Sequence, residues 1–366
     1  MITYKQGYIA LITLTLVITL TMSIMHFVDY AFMETWLVLA FIMCVPFQVA
    51  SGILLETNKP RLLARLSLPS KGLLIILCCA VSAILVSIVT YYTVGGGIEL
   101  PKPPVINYAI AVVVATFWYA IVWQCWPIAK FTNKPEWLAL SVVFVGLFLG
   151  YLIFNFSFSF EFMQSSPLYE ETLDPKGWFK SWNVVAFLVT TVAVIFTFVL
   201  FDFWPISQIK LGNKAFVGNL IKSLSIIAIA GSIYLLFVNY WDFDPVIYLV
   251  NGPISYIFGM FVPLNLFSGQ LFSHIKQPTR GIYLVIVSAI AGFLLNLLYF
   301  WFAQQMLPEA LIGGLYQQEL WVANAMLAFS FPLLVAITAH LQFWPLCLIN
   351  FKTKNNSPTT QKVMSN

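Results

Sequence analysis

Residues 182–206 read WNVVAFLVTTVAVIFTFVLFDFWPI, a long apolar run closed by Phe203-Trp204-Pro205. About 20 mostly apolar residues are enough to carry an α-helix across a bilayer. The only ionisable residue in the run is Asp202, three before the proline. The same closure recurs as Cys125-Trp126-Pro127 and Phe343-Trp344-Pro345, and in a weaker form as Cys44-Val45-Pro46 and Phe261-Val262-Pro263. The five prolines lie 81, 78, 58 and 82 residues apart. A lysine follows each within fourteen residues: Lys59, Lys134, Lys214, Lys276 and Lys352. Thr-Asn-Lys-Pro occurs twice, at 57–60 and 132–135. This is an internal repeat whose unit has room for two membrane spans.

Working outward, ten apolar stretches can be read: 8–28, 35–55, 72–92, 106–129, 137–158, 182–206, 217–240, 245–270, 281–302 and 320–349. Of the 366 residues, 60% are hydrophobic and 9% charged, against about 25% charged in a soluble domain. That composition excludes a single aqueous-core domain. The fold class read from the sequence is an all-α integral membrane protein. Its ten transmembrane helices form five parallel helical-hairpin repeats, at about 1–65, 66–135, 136–215, 216–280 and 281–355. Residues 1–366 make one polytopic domain, with 356–366 as a disordered cytoplasmic tail. The first stretch is as long as a full span and reads as a retained helix. All five cysteines fall inside apolar stretches, so no disulfide is expected.

Charge sorts the loops. With a cytoplasmic N-terminus and ten spans, every Lys and Arg except Lys102, Lys176 and Lys180 falls on the inner side. Cytoplasmic loops carry the basic excess, so both termini are expected in the cytoplasm of a multi-pass inner (plasma) membrane protein. Orientation accounts for the basic loops, and no nucleic-acid partner is implied. Trp126, Trp204 and Trp344 form an inner aromatic belt; Tyr91, Tyr92, Trp241 and Trp301 form an outer one. Glu170, Glu171 and Asp174 read as a solvated outer loop.

Two even-numbered helices read as broken: the eighth at Asn251-Gly252-Pro253, the tenth at Pro332. A proline in a helix frees a carbonyl, which in lipid must find another partner or line a cavity. Broken helices point to binding sites in transporters. No Asp, Glu, Lys or His falls near the bilayer centre, which disfavours proton coupling. Three residues before the proline marks stand Met43, Gln124, Asp202, Met260 and Gln342, three of them polar. The candidate substrate-binding residues are Gln124, Asp202, Gln342, His340, Asn251 and Asn265.

No catalytic motif is present: no HExxH, GxSxG, phosphate loop or paired carboxylates. No cofactor is expected. Thioether and thiol ligands suit Cu(I), which makes Met22, Met25, His26, Met43 and Cys44 the weak metal candidates, but no CxxC or HxxxH spacing supports them. The leading expectation is a passive or weakly coupled permease or channel for a small solute. The alternative is a non-catalytic subunit or scaffold of a larger membrane complex. A third is a lipid-interface enzyme using His340 and Asp202 as acid and base, or a copper-handling protein. Expected partners are the lipid bilayer and other membrane subunits or further copies of the chain.

Overall fold

The structure is a computed structural model and describes residues 4–56, 65–166, 168–208, 215–308, 311 and 314–348. Lys59, Lys214, Lys352 and the tail 356–366 lie outside the described residues. Among the described residues, ten helices are long and apolar enough to cross a membrane: α1 Lys5–Phe27, α2 Tyr30–Leu55, α3 Leu68–Thr93, α4 Pro103–Val122, α5 Pro135–Ser157, α6 Ser181–Leu200, α7 Ala215–Tyr240, α8 Pro245–Leu266, α9 Thr279–Met306 and α10 Gln317–His340. The chain is an all-α multi-pass membrane protein. Its only described strand pairing is a two-residue parallel ladder in the α5–α6 loop, Phe158–Ser159 with Phe179–Lys180.

The helices divide by burial. The windows through α4, α6, α8 and α10 are each 67% buried, whereas that through α7 is 17%. Contacts explain the division: α2 touches α4, α4 touches α6, α6 touches α8, α8 touches α10, and α10 returns to α2. The even-numbered helices thus close a ring. The odd-numbered helices clad it. α3 packs on α2 and α10, α5 on α4 and α2, α7 on α6 and α4, α9 on α8 and α6, and α1 on α10 and α8. α2, α4 and α8 are each most closely packed with the odd helix that follows in sequence: α3, α5 and α9.

Lipid offers no hydrophobic drive between helices, so close packing of small residues holds them. Along α8 and α9 the pairs Ser255/Gly259 and Ser288/Gly292 mesh. A Cβ at Gly259 would lie 2.1 Å from the Ser288 carbonyl oxygen, and one at Gly292 2.4 Å from that of Ser255. Gly146 and Gly150 bring α5 equally close to Thr116 and Val112 of α4.

The ring helices α8 and α10 are irregular, in part around proline, whereas Pro46 sits in a regular stretch of α2. Wide π turns occupy Val250–Ile254 and Val262–Leu266 in α8, and Asn324–Ser330 and Ala336–His340 in α10. Pro253 and Pro263 sit within two of them, and Pro332 just after a third. An extra residue in the turn absorbs the steric clash and missing donor of proline. Ser255 then donates to the Val250 carbonyl at 2.6 Å.

In the α5–α6 loop, Asp174 is buried, not solvated. Its carboxylate accepts from the Phe160 and Lys176 amides and from the Tyr169 hydroxyl, pinning the loop.

Candidate functional site

The Trp-Pro closures are helix-ending turns. Gln124-Cys125, Asp202-Phe203 and Gln342-Phe343 are consecutive left-handed residues (φ between 48° and 63°), each followed by a cis Trp-Pro peptide. In all three the Trp amide donates to the carbonyl three residues back, at 2.9 Å. A fourth such pair ends α8, but at Ser268-Gly269 and without Trp-Pro; the Gln270 amide donates to Phe267 in the same way. Pro263 is thus not the counterpart of the Trp-Pro prolines, since it lies inside α8, and Pro46 lies inside α2. Hydrogen-bond geometry, not the proline, marks the equivalent ends.

Four phenylalanines meet inside the ring: Phe117 of α4, Phe196 of α6, Phe261 of α8 and Phe331 of α10. Ring centroids run 5.2 Å from Phe117 to Phe196, 5.7 Å on to Phe261, and 4.3 Å on to Phe331, the last pair nearly parallel. Phe331 lies 6.4 Å from Phe117. That last contact fixes the quartet's place, because α10 and α4 are separated around the ring by α2. Side chains of non-neighbouring staves meet only in the interior. All four are buried. Phe117 and Phe261 stand seven residues before the left-handed pair ending their helix, Phe196 six and Phe331 eleven, so the quartet lies in the half of the span that ends in these turns.

Beside the C-terminal end of α10 lies a polar niche. Gln48 of α2 donates from Nε2 to the Pro332 carbonyl at 2.9 Å. Ser51, one turn on, has its Oγ 2.8 Å from the Gln48 carbonyl and 2.8 Å from His340 Nε2. Gln48, Ser51 and His340 are all buried. Gln48 Oε1 and His340 Nδ1 have no hydrogen-bond partner among the described residues. α3 closes the niche: a Cβ at Gly72 would lie 2.5 Å from the His340 carbonyl oxygen. Cys44, Ile75, Cys79 and Phe47 form an apolar cluster in the same α2–α3 interface.

The sequence candidates scatter. Gln124, Asp202 and Gln342 occupy matching places, each the first left-handed residue of its turn, and all three are exposed. Asp202 accepts from Gln277 Nε2 at 2.8 Å and pairs with Arg280 at 3.6 Å, tying the end of α6 to the start of α9. His340 and Asp202 therefore have separate hydrogen-bond partners. Asn251 accepts from Asn296 at 2.9 Å, and Asn265 reaches Thr338 at 3.5 Å. Met22, Met25 and Met43 are buried in the core while His26 is exposed against Phe27. Among the described residues no group of three His, Cys, Asp or Glu side chains is placed to hold a metal. Gln48, Ser51 and the phenylalanines were not singled out from sequence. A polar pair three apart, just past Pro46 in an apolar run, was the available signal for the first two.

Tyr316, just before α10, donates to Asp244, which caps α8 by accepting from the Val246 and Ile247 amides. That hydrogen bond, with some burial, pushes the Tyr316 phenol up to about 12. A groove of about 420 Å³ runs between α6, α7 and α8 at the Asn251-Gly252-Pro253 break, lined by Thr190, Phe237, Tyr248, Asn251 and Tyr256. Comparison with known proteins returns no matching family model, curated protein or solved structure, and the geometry alone carries the functional reading.

Proposed function

We propose that the protein is a passive or weakly coupled permease or channel of the inner membrane, with its solute path along the axis of the five-helix ring. The observation that carries this is the quartet. Phe117, Phe196, Phe261 and Phe331 come from four ring helices and close the interior at one level. An apolar constriction of this kind gates by excluding water. In this reading the repeats of the sequence are the hairpins α1–α2, α3–α4, α5–α6, α7–α8 and α9–α10, both termini are cytoplasmic, and Asn265, Thr338 and His340 lie toward the inner mouth. The lack of central ionisable residues suits an uncharged solute without proton coupling.

The test is flux of uncharged solutes, urea and glycerol among them, into liposomes carrying the purified protein. Protein-dependent flux supports the reading, and none for any solute, with the quartet intact or truncated, removes it. Asp202→Asn and Gln342→Leu ask whether the inner turn residues take part. A second reading, a subunit that packs a partner helix or apolar molecule, is favoured by the groove at the α8 break. Stoichiometric co-purification of a second membrane protein in mild detergent, lost on Tyr248→Ala, would support it.

A further inference from the structure

The protons of Gln48, Ser51 and His340 can be placed one by one. Ser51 has one hydroxyl proton and two partners at 2.8 Å, the Gln48 carbonyl and His340 Nε2, with the Cys79 thiol also beside its oxygen. A carbonyl only accepts. Both contacts are hydrogen bonds only if Ser51 donates to the carbonyl and accepts from Nε2–H. His340 is thereby fixed as the Nε2–H tautomer, with a bare lone pair on Nδ1. The amide nitrogen of Gln48 must face the Pro332 carbonyl, another pure acceptor, which leaves Oε1 turned away from it. The two unpartnered atoms, Gln48 Oε1 and His340 Nδ1, are therefore both acceptors. They belong to side chains 7% and 1% exposed. Buried acceptors without donors are costly, and a donor-bearing ligand relieves that cost.

We propose that this niche binds a small uncharged solute that presents hydrogen-bond donors from an –NH2 group, as urea, small primary amides and ammonia do. Neutral solutes fit because the hydrogen bonds of the three side chains involve no carboxylate, and the adjoining α2–α3 interface is apolar. A cation taken from water would need a formal negative charge there. Gln48 holds the carbonyl of the residue after Phe331, which places the niche on the inner side of the quartet. As a station on a solute path the niche rests on the permease reading; as a binding site it does not.

Histidine occurs only at positions 26, 274 and 340, so [15N]histidine-labelled protein in lipid nanodiscs gives few signals, and His340→Phe assigns one set. The expected result is an unprotonated His340 Nδ1 whose resonance moves saturably as urea is added. Gln48→Met, which removes one acceptor, should weaken that saturation about ten-fold and lower urea flux into proteoliposomes while leaving osmotic water flow unchanged. A protonated Nδ1, or an Nδ1 signal that neither urea nor acetamide moves, would overturn the proposal from the unsubstituted protein alone. Equal loss of urea and water flow in Gln48→Met overturns it too, because the niche would then serve water. A saturable shift in a protein that conducts no solute keeps the binding site and rejects the permease.

Discussion

Gly231 and Gly292 end the same tetrapeptide, Ala-Ile-Ala-Gly, in α7 and α9, yet their surroundings are opposite. Nothing lies within 4 Å of a Cβ at Gly231, while one at Gly292 would meet the backbone of Ser255 and Tyr256. Valine at Gly292 must push α9 off α8, at a cost of about 2–4 kcal/mol by analogy with overpacked cores. Valine at Gly231 projects into open space and should change stability by less than about 0.5 kcal/mol. Thermal unfolding in one detergent distinguishes the two, and equal effects would contradict the α8–α9 packing. Tyr316 supports a second prediction. Its folded-state value, about 12, lies above the usual 10, so the protonated phenol is the form the fold favours. The contribution is complete below pH 10 and is lost as pH rises from 10 to 12. Tyr316→Phe should therefore abolish the part of the alkaline loss of stability that falls in that window, read as the melting temperature across the pH series.

At the scale of the element, the ten spans were legible because apolar length is what a bilayer demands of a helix. The ends of the even helices were not. The run 182–206 stays apolar through Phe203-Trp204-Pro205, yet α6 stops at Leu200, because the left-handed pair that ends it leaves no mark on hydropathy. Pro263 looked like a fourth helix end and is instead an internal π turn, whereas the true end, Ser268-Gly269, carries no Trp-Pro. The closest packed pairs, α4–α5 and α8–α9, join an even helix to the odd one after it, where small residues such as Gly146 and Gly259 let the backbones approach. Of the candidate site, His340 was visible as a rare polar residue in an apolar helix, but its partners come from α2, nearly 290 positions away. The ends of these elements are held by polar latches. Gln277 donates to the Leu200 carbonyl at 3.0 Å and to Asp202, and accepts from the Gly281 amide. Gln277→Ala should cost about 1–3 kcal/mol, since three groups lose their partner together. Hydrogen exchange at residues 200–208 and at the first turn of α9 should quicken, with the α4–α5 pair unaffected.

For the whole molecule, a closed ring of five helices has an interior that must be filled, and here aromatic side chains fill it. Phe331 makes two of the four contacts of the quartet, the near-parallel one to Phe261 and the tilted one to Phe117. Aromatic pairs contribute about 0.5–1.5 kcal/mol beyond their burial. Truncating Phe331 therefore removes about 2 kcal/mol from the closed arrangement, equivalent to a thirty-fold shift toward an open one. Phe331→Ala should raise uncharged-solute flux in proteoliposomes by about that factor. Phe41→Ala is the control. Its ring packs edge-on against Phe329 at 5.1 Å, so its loss loosens the α2–α10 packing without removing a contact of the quartet. If both variants remain folded and both leave flux at the unsubstituted level, the quartet is core packing and the path lies elsewhere. If both raise flux equally, the increase reflects general loosening of the bundle. Only a rise absent from Phe41→Ala and reproduced by Phe261→Ala identifies the ring axis as the route and the four phenylalanines as what closes it.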